Sequence, residues 1–188
     1  AIISNNHTKD WRNLGIAHVN LANVYVDMND YSTAMRELNK SIDNFTKVDF
    51  KRGLQVVYNN LGAMNIRQKN YEAAIPLLQK GLELAKMNQS TAGVALIEQN
   101  IAYTLFLSNQ YEKALEWFIK AEKTAIESKA DEYSFGEIYN HRASLDSAMG
   151  NYKSGLEYRS KFVAINEKFM GNKVIKEVNE LQTKYETQ

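Results

Sequence analysis

The sequence predicts an all-α solenoid of four helix-turn-helix repeats with a C-terminal capping helix, and three observations predict it. Tyr31, Tyr71, Tyr111 and Tyr152 stand 40, 40 and 41 residues apart, and each opens the same phrase, from Asn-Asp-Tyr-Ser-Thr-Ala to Gly-Asn-Tyr-Lys-Ser-Gly. Units of this length cannot each bury an apolar face alone, so they must stack. Within every period the apolar residues recur at three- and four-residue spacing, the helical pattern. A single proline among 188 residues leaves long helices uninterrupted.

Taken in order, Leu14, Ala17, Leu21, Val24, Tyr25 and Met28 mark a first helix, and Tyr31, Ala34, Met35, Leu38, Ile42 and Phe45 a second. Val57, Leu61, Ala63, Met64 and Ile66 precede Tyr71, Ala74, Leu78, Leu82 and Leu84 in the same way. Leu96, Ile97, Ile101, Leu105 and Leu107 precede Tyr111, Ala114, Leu115, Phe118 and Ile119. Phe135, Ile138, Tyr139, Ala143 and Leu145 precede Tyr152, Leu156 and Phe162. Short polar turns such as Met28-Asn29-Asp30 and Met149-Gly150-Asn151 join them, as tight antiparallel hairpins need. Pro76 falls early in its helix and is expected to bend it slightly.

Both ends differ from the middle. Ala1-Ile2-Ile3-Ser4-Asn5 is similar to the helix end Thr124-Ala125-Ile126-Glu127-Ser128, so residues 1–8 are expected to be the tail of a preceding helix. The chain is then a piece of a longer protein, although a cleaved signal peptide would leave the same start. At the other end Phe162, Ile165 and Phe169 continue the last helix, and Gly171-Asn172 is expected to break its phase. Val174, Val178, Leu181 and Tyr185 then make one narrow apolar seam. The domain division is therefore an array over 1–170 and, over 171–188, a capping helix or the start of a coiled-coil linker.

Composition narrows the function. Lys+Arg 23 against Asp+Glu 22 leaves a net charge of +1, with no field to attract nucleic acid or an anionic membrane. No cysteine is present, which excludes disulfides and thiolate chemistry. No 18-residue apolar run exists for membrane insertion. His7, His18 and His141 are far apart, no pair of ligands shares a helix face, and no phosphate-cradling glycine loop occurs. Neither a metal, a cofactor nor a catalytic centre is expected, and the aromatics Trp11, Tyr58 and Trp117 fall in packing stripes.

The repeats resemble the tetratricopeptide repeat family over residues from about 9 to 170. The resemblance rests on Leu61-Gly62, on the small residues Ala22, Gly62, Ala102 and Ala143 in first helices and Ala34, Ala74, Ala114 and Gly155 in second helices. Large residues fill between them: Leu21, Leu61 and Ile101, then Leu38, Leu78 and Phe118. It implies a right-handed superhelix acting as a non-enzymatic recognition module for a protein or an extended peptide. The longer period is similar to that of bacterial signalling proteins. The segment from Gly155 to Gln188 resembles the junction in repeat-containing sensor histidine kinases and helix-turn-helix regulators. That resemblance implies a sensory or interaction region, a homodimer through the C-terminal helix, and the periplasmic side of a membrane-anchored sensor ahead of the cytoplasm. A stand-alone scaffold or adaptor is the alternative.

In that family the first helix of each repeat lines the concave face. The resemblance therefore places Asn23, Asp27, Asn59, Asn60, Arg67, Gln99, Tyr103, Phe106, Glu137 and Asn140 in a ligand groove, with Ala63, Asn100 and Ser144 beside them. Amide side chains offer a donor and an acceptor each, which suits a peptide backbone. Asn20, Asn60 and Asn100 also recur every 40 residues, the pattern of a packing role. Val19, Leu96 and Asn100 occupy the places where the family's carboxylate-clamping members carry cations, which disfavours a clamp of that kind. In the last repeat Arg142 and Asp146 replace apolar residues, and Arg159 stands where Leu38, Leu78 and Phe118 stood. An i, i+4 ion pair partly open to solvent is expected there, of little net energy.

Overall fold

The computed structural model describes residues 10–129 and 131–186, and all their side chains except those of 132, 133, 169 and 172–186. Eight helices follow one another among these residues: α1 (Trp11–Asp27), α2 (Tyr31–Lys47), α3 (Lys51–Arg67), α4 (Tyr71–Met87), α5 (Thr91–Leu107), α6 (Tyr111–Glu127), α7 (Glu132–Ala148) and α8 (Tyr152–Glu186). The first seven are each 17 residues long. No helix among the described residues is long and apolar enough to cross a membrane.

A strict turn produces the period. Asn29, Asp49, Lys69, Gln89, Asn109, Lys129 and Gly150 each hold a positive φ, twenty or twenty-one residues apart. In each described turn the helix closes on itself: Asp30 N–H donates to the Tyr25 carbonyl at 2.8 Å, Asn70 N–H to Asn65 at 2.8 Å and Gln110 N–H to Leu105 at 2.9 Å. This left-handed cap satisfies the last carbonyls and reverses the chain in three residues. Asp10, Asp30, Ser90 and Asp131 then cap the next helix through their side chains. Asn29, Asp49 and Asn109 tolerate this conformation, but Lys69, Gln89 and Lys129 carry side chains that disfavour it. Lys69→Gly is therefore expected to stabilise the protein by roughly 0.5–1 kcal/mol, the relief exceeding glycine's own entropy cost. Urea denaturation of the two proteins measures it.

Each helix pairs with its neighbours in sequence, and α1 with α3, α3 with α5 and α5 with α7 also touch. The odd-numbered helices thus share one wall. Core residues lie where small and large side chains alternate: Ala34, Leu38 and Phe45 of α2 with Val57, Leu61 and Met64 of α3, then Ala74, Leu78 and Leu82 of α4 with Ile97 and Ile101 of α5. Gly15 and Gly53 lie against the Phe45 ring, which a Cβ at either place would meet within 3 Å. Pro76 sits inside α4, where it forgoes one intrahelical hydrogen bond without ending the helix.

Two expectations about the ends are revised or fall elsewhere. The α8 backbone runs 35 residues through Gly171 and Asn172 without a turn, so no break separates a capping helix from the last repeat. One glycine costs a helix only about 1 kcal/mol relative to alanine, too little to interrupt a run this long. Residues 1–8, His7 and the side chains of the Val174, Val178, Leu181 and Tyr185 seam lie outside what is described.

Candidate ligand groove

The odd helices bring a cavity of about 540 Å³ into their shared wall, lined by residues of α3, α5 and α7. Its apolar lining is Ala63 and Ile66 from α3 and Leu96 from α5. Its polar lining is Arg67, Gln99, Asn100, Ser134, Glu137 and His141, with Tyr103 between. Four of the ten residues expected in a groove therefore meet around one space: Arg67, Gln99, Tyr103 and Glu137.

The other six are placed differently. Asn60 Nδ2 donates to Asn23 Oδ1 at 3.1 Å, and Asn100 Nδ2 to Asn59 Oδ1 at 2.8 Å. These bonds run between successive odd helices, so the amides fix the angle of one repeat on the next. Asn140 turns away to α8, where its Oδ1 accepts from Arg159 Nη1 at 2.6 Å. Phe106 packs near the α5–α6 turn, 6.0 Å from the Tyr111 ring and 6.4 Å from Tyr103. Asp27 is exposed at the end of α1.

His141, which the sequence singled out for no ligand role, and Leu96, read both in the α5 stripe and at a place facing the groove, belong to the cavity wall. Counting on from Asn20, Asn60 and Asn100 by the tyrosine spacing arrives at His141, the fourth member of that row. Its ring stacks on Tyr103 with centroids 3.9 Å apart and planes 17° from parallel. Burial lowers its pKa to about 4, so the ring is neutral at pH 7. The Glu137 carboxylate lies 3.9 Å from Nε2 and is 38% exposed, too distant and too wet to hold the charge. Leu96 is 49% exposed, and Val56, forty residues earlier, is 42% exposed.

The last repeat corrects a further expectation. Arg142 and Asp146 form their ion pair, with Nε 3.1 Å from each carboxylate oxygen, but it is more closed than expected, with Asp146 buried and the Arg142 side chain 11% exposed. The cause is α8, which lays Ser154 on Asp146 Oδ2 at 2.6 Å and the Tyr158 ring 4.9 Å from the guanidinium. Tyr158 in turn donates to Glu122 Oε2 at 3.0 Å, and burial with that bond pushes its hydroxyl up to about 12. Arg159 stays exposed. No group of three His, Asp or Glu that could hold a metal ion occurs among the described residues.

Geometry of this kind, antiparallel helix pairs stacked with one continuous inner wall, defines an α-solenoid repeat protein. Two family models, both described as tetratricopeptide repeat, match residues 54–127 and 16–44, together more than half of the chain. The chain belongs to the tetratricopeptide repeat family. Such repeats are protein-interaction scaffolds, generally without enzymatic activity. No curated protein matches the chain. Among solved structures, aspartyl phosphate phosphatase F from Bacillus subtilis superposes with a TM-score of 0.78 at 20% identity, over 85% of this chain and 42% of that one. BtubC (BKLC) from P. vanneervenii gives 0.75 at 14% identity over 88% and 68%, and the apo form of RapI 0.72 at 20% over 86% and 45%. The chain spans less than half the length of the phosphatase and of RapI. At these identities the likeness is one of fold.

Proposed function

We propose that the inner wall binds an extended peptide or protein segment, and that the array is the sensory or interaction region of a bacterial signal-transduction protein. The cavity of about 540 Å³ supports the first part. It joins the open apolar side chain of Leu96 to the amide of Gln99 and to Asn100 Oδ1, the two things an extended segment needs for a side chain and for its backbone. Arg67 and Glu137 place opposite charges on its two outer helices, which would fix the direction of a bound chain. The array shared with the Bacillus phosphatase supports a regulatory setting.

The length of α8 supports the second part. At about 1.5 Å per residue, its 35 residues are about twice as long as α7, so its far half continues past the helix it packs on. Leu156, Val163 and Met170 stand seven residues apart on it and are 69%, 43% and 52% exposed, a seam suited to self-association and onward to an output domain. A stand-alone scaffold is the second reading, and a frame ending at Gln188 would favour it.

The test uses peptides selected from a random extended-peptide library on the intact chain. Leu96→Asp and Arg67→Glu should each weaken binding at least about tenfold, equivalent to about 1.4 kcal/mol. Both side chains are exposed, so thermal stability should hold. Undiminished binding by both variants would move the site off the inner wall.

A further inference from the structure

The odd helices repeat one set of contacts, and the first of them is left open. In α3, Val57, Leu61 and Met64 are 0%, 6% and 1% exposed, buried with Ala34, Leu38 and Phe45 of the helix before. In α5 the same places hold Ile97, Ile101 and Thr104, 1%, 1% and 0% exposed, and Leu78 and Leu82 of α4 join Ile97 and Ile101 in their cluster. Forty residues before the α3 set stand Ala17, Leu21 and Val24 of α1. Ala17 is exposed, and Leu21 and Val24 are 41% and 53% exposed. Leu14 and Met28 carry the stripe along the whole helix at 36% and 68%. Single exposed leucines are ordinary, but a continuous stripe at three- and four-residue spacing is the mark of a helix that pairs with another.

We propose that this face seats one more helix of the even-numbered kind, supplied by a repeat preceding α1 in the same polypeptide. The register specifies the occupant, because what covers the later copies of the stripe in α3 and α5 is the second helix of the repeat before. That helix carries a small residue three places after its opening tyrosine, as Ala34 and Ala74 do, and a large apolar one four further on, as Leu38 and Leu78 do. Head-to-tail stacking of a second copy is opposed by α8. Where α6 offers Phe118 and Ala125, it carries Arg159 and Asn166, both exposed, and that contact would strip them of water.

Two polypeptides test this: the present chain, and the same chain extended upstream by its natural coding sequence, each with and without Leu21→Asp. In the present chain the substitution should move the thermal midpoint by no more than about 2 °C. In the extended chain it should lower the midpoint by roughly 6 °C or more, since the aspartate then enters a closed apolar contact. Leu21→Ser serves as a milder variant should the extended aspartate protein fail to fold, with the same ordering expected. Equal shifts in both polypeptides would overturn the proposal. A dimer of the present chain that Leu21→Asp dissociates would assign the face to a second copy instead.

Discussion

Asp146→Ala should be the most damaging single polar substitution in the array, with a loss of about 3–5 kcal/mol in denaturant unfolding. The carboxylate is 1% exposed, holds the Arg142 Nε with both oxygens and accepts from Ser154 Oγ. Its removal leaves a guanidinium whose side chain is only 11% exposed, with no other anion bonded to it, under the ring of Tyr158. Breaking a buried pair costs far more than never having built one. The double variant Arg142→Ile with Asp146→Leu restores the residues found at the matching places of α5, Ile101 and Leu105. It should recover all of the loss or exceed the parent. A double variant as unstable as Asp146→Ala would show that the surrounding polar groups, and not the unpaired cation, set the cost.

Acid should destabilise the protein well above the range of ordinary carboxylates, and His141 is the reason. Its pKa falls from 6.5 in an unfolded chain to about 4 in the fold, because burial disfavours the imidazolium. A depressed value means that the unfolded state takes up the proton first. The neutral ring's contribution is complete above pH 6.5, shrinks as pH falls below it and is gone below about pH 4, a total of about 3 kcal/mol. Glu37, held below its ordinary value chiefly by the Lys40 hydrogen bond, adds a loss of the same sign only at lower pH. Unfolding free energies between pH 7 and 4 should therefore fall in the parent and stay nearly flat in His141→Asn, the residue the other three repeats carry at this place. A parallel fall in the variant would place the titrating group elsewhere.

The lining of the cavity was only partly legible in the sequence, for a physical reason. Counting along the odd helices identifies which residues face inward, and Arg67, Gln99, Tyr103 and Glu137 indeed meet around the cavity. It does not say which inward residues spend their hydrogen bonds on one another. Asn23, Asn59 and Asn60 do so across repeats, and Asn140 reaches α8 instead. Leu96 was read both in the α5 stripe and at a place facing the groove, because a leucine at helical spacing is the same symbol whether a neighbour covers it or not.

By itself the sequence determined the period, the helices within it and the turns that separate them. Those are properties of short stretches: a 3.6-residue repeat fixes each helix, and a left-handed residue every twenty or so positions reverses it. Only the tertiary structure decided what each face meets. It closed off Arg142 and Asp146 because α8 lies over them, left Leu21 and Val24 open because no described helix does so at α1, and carried α8 unbroken through Gly171. Burial is a relation between segments far apart in the chain, and a repeat at the end of an array has the same letters as one in the middle but not the same neighbours.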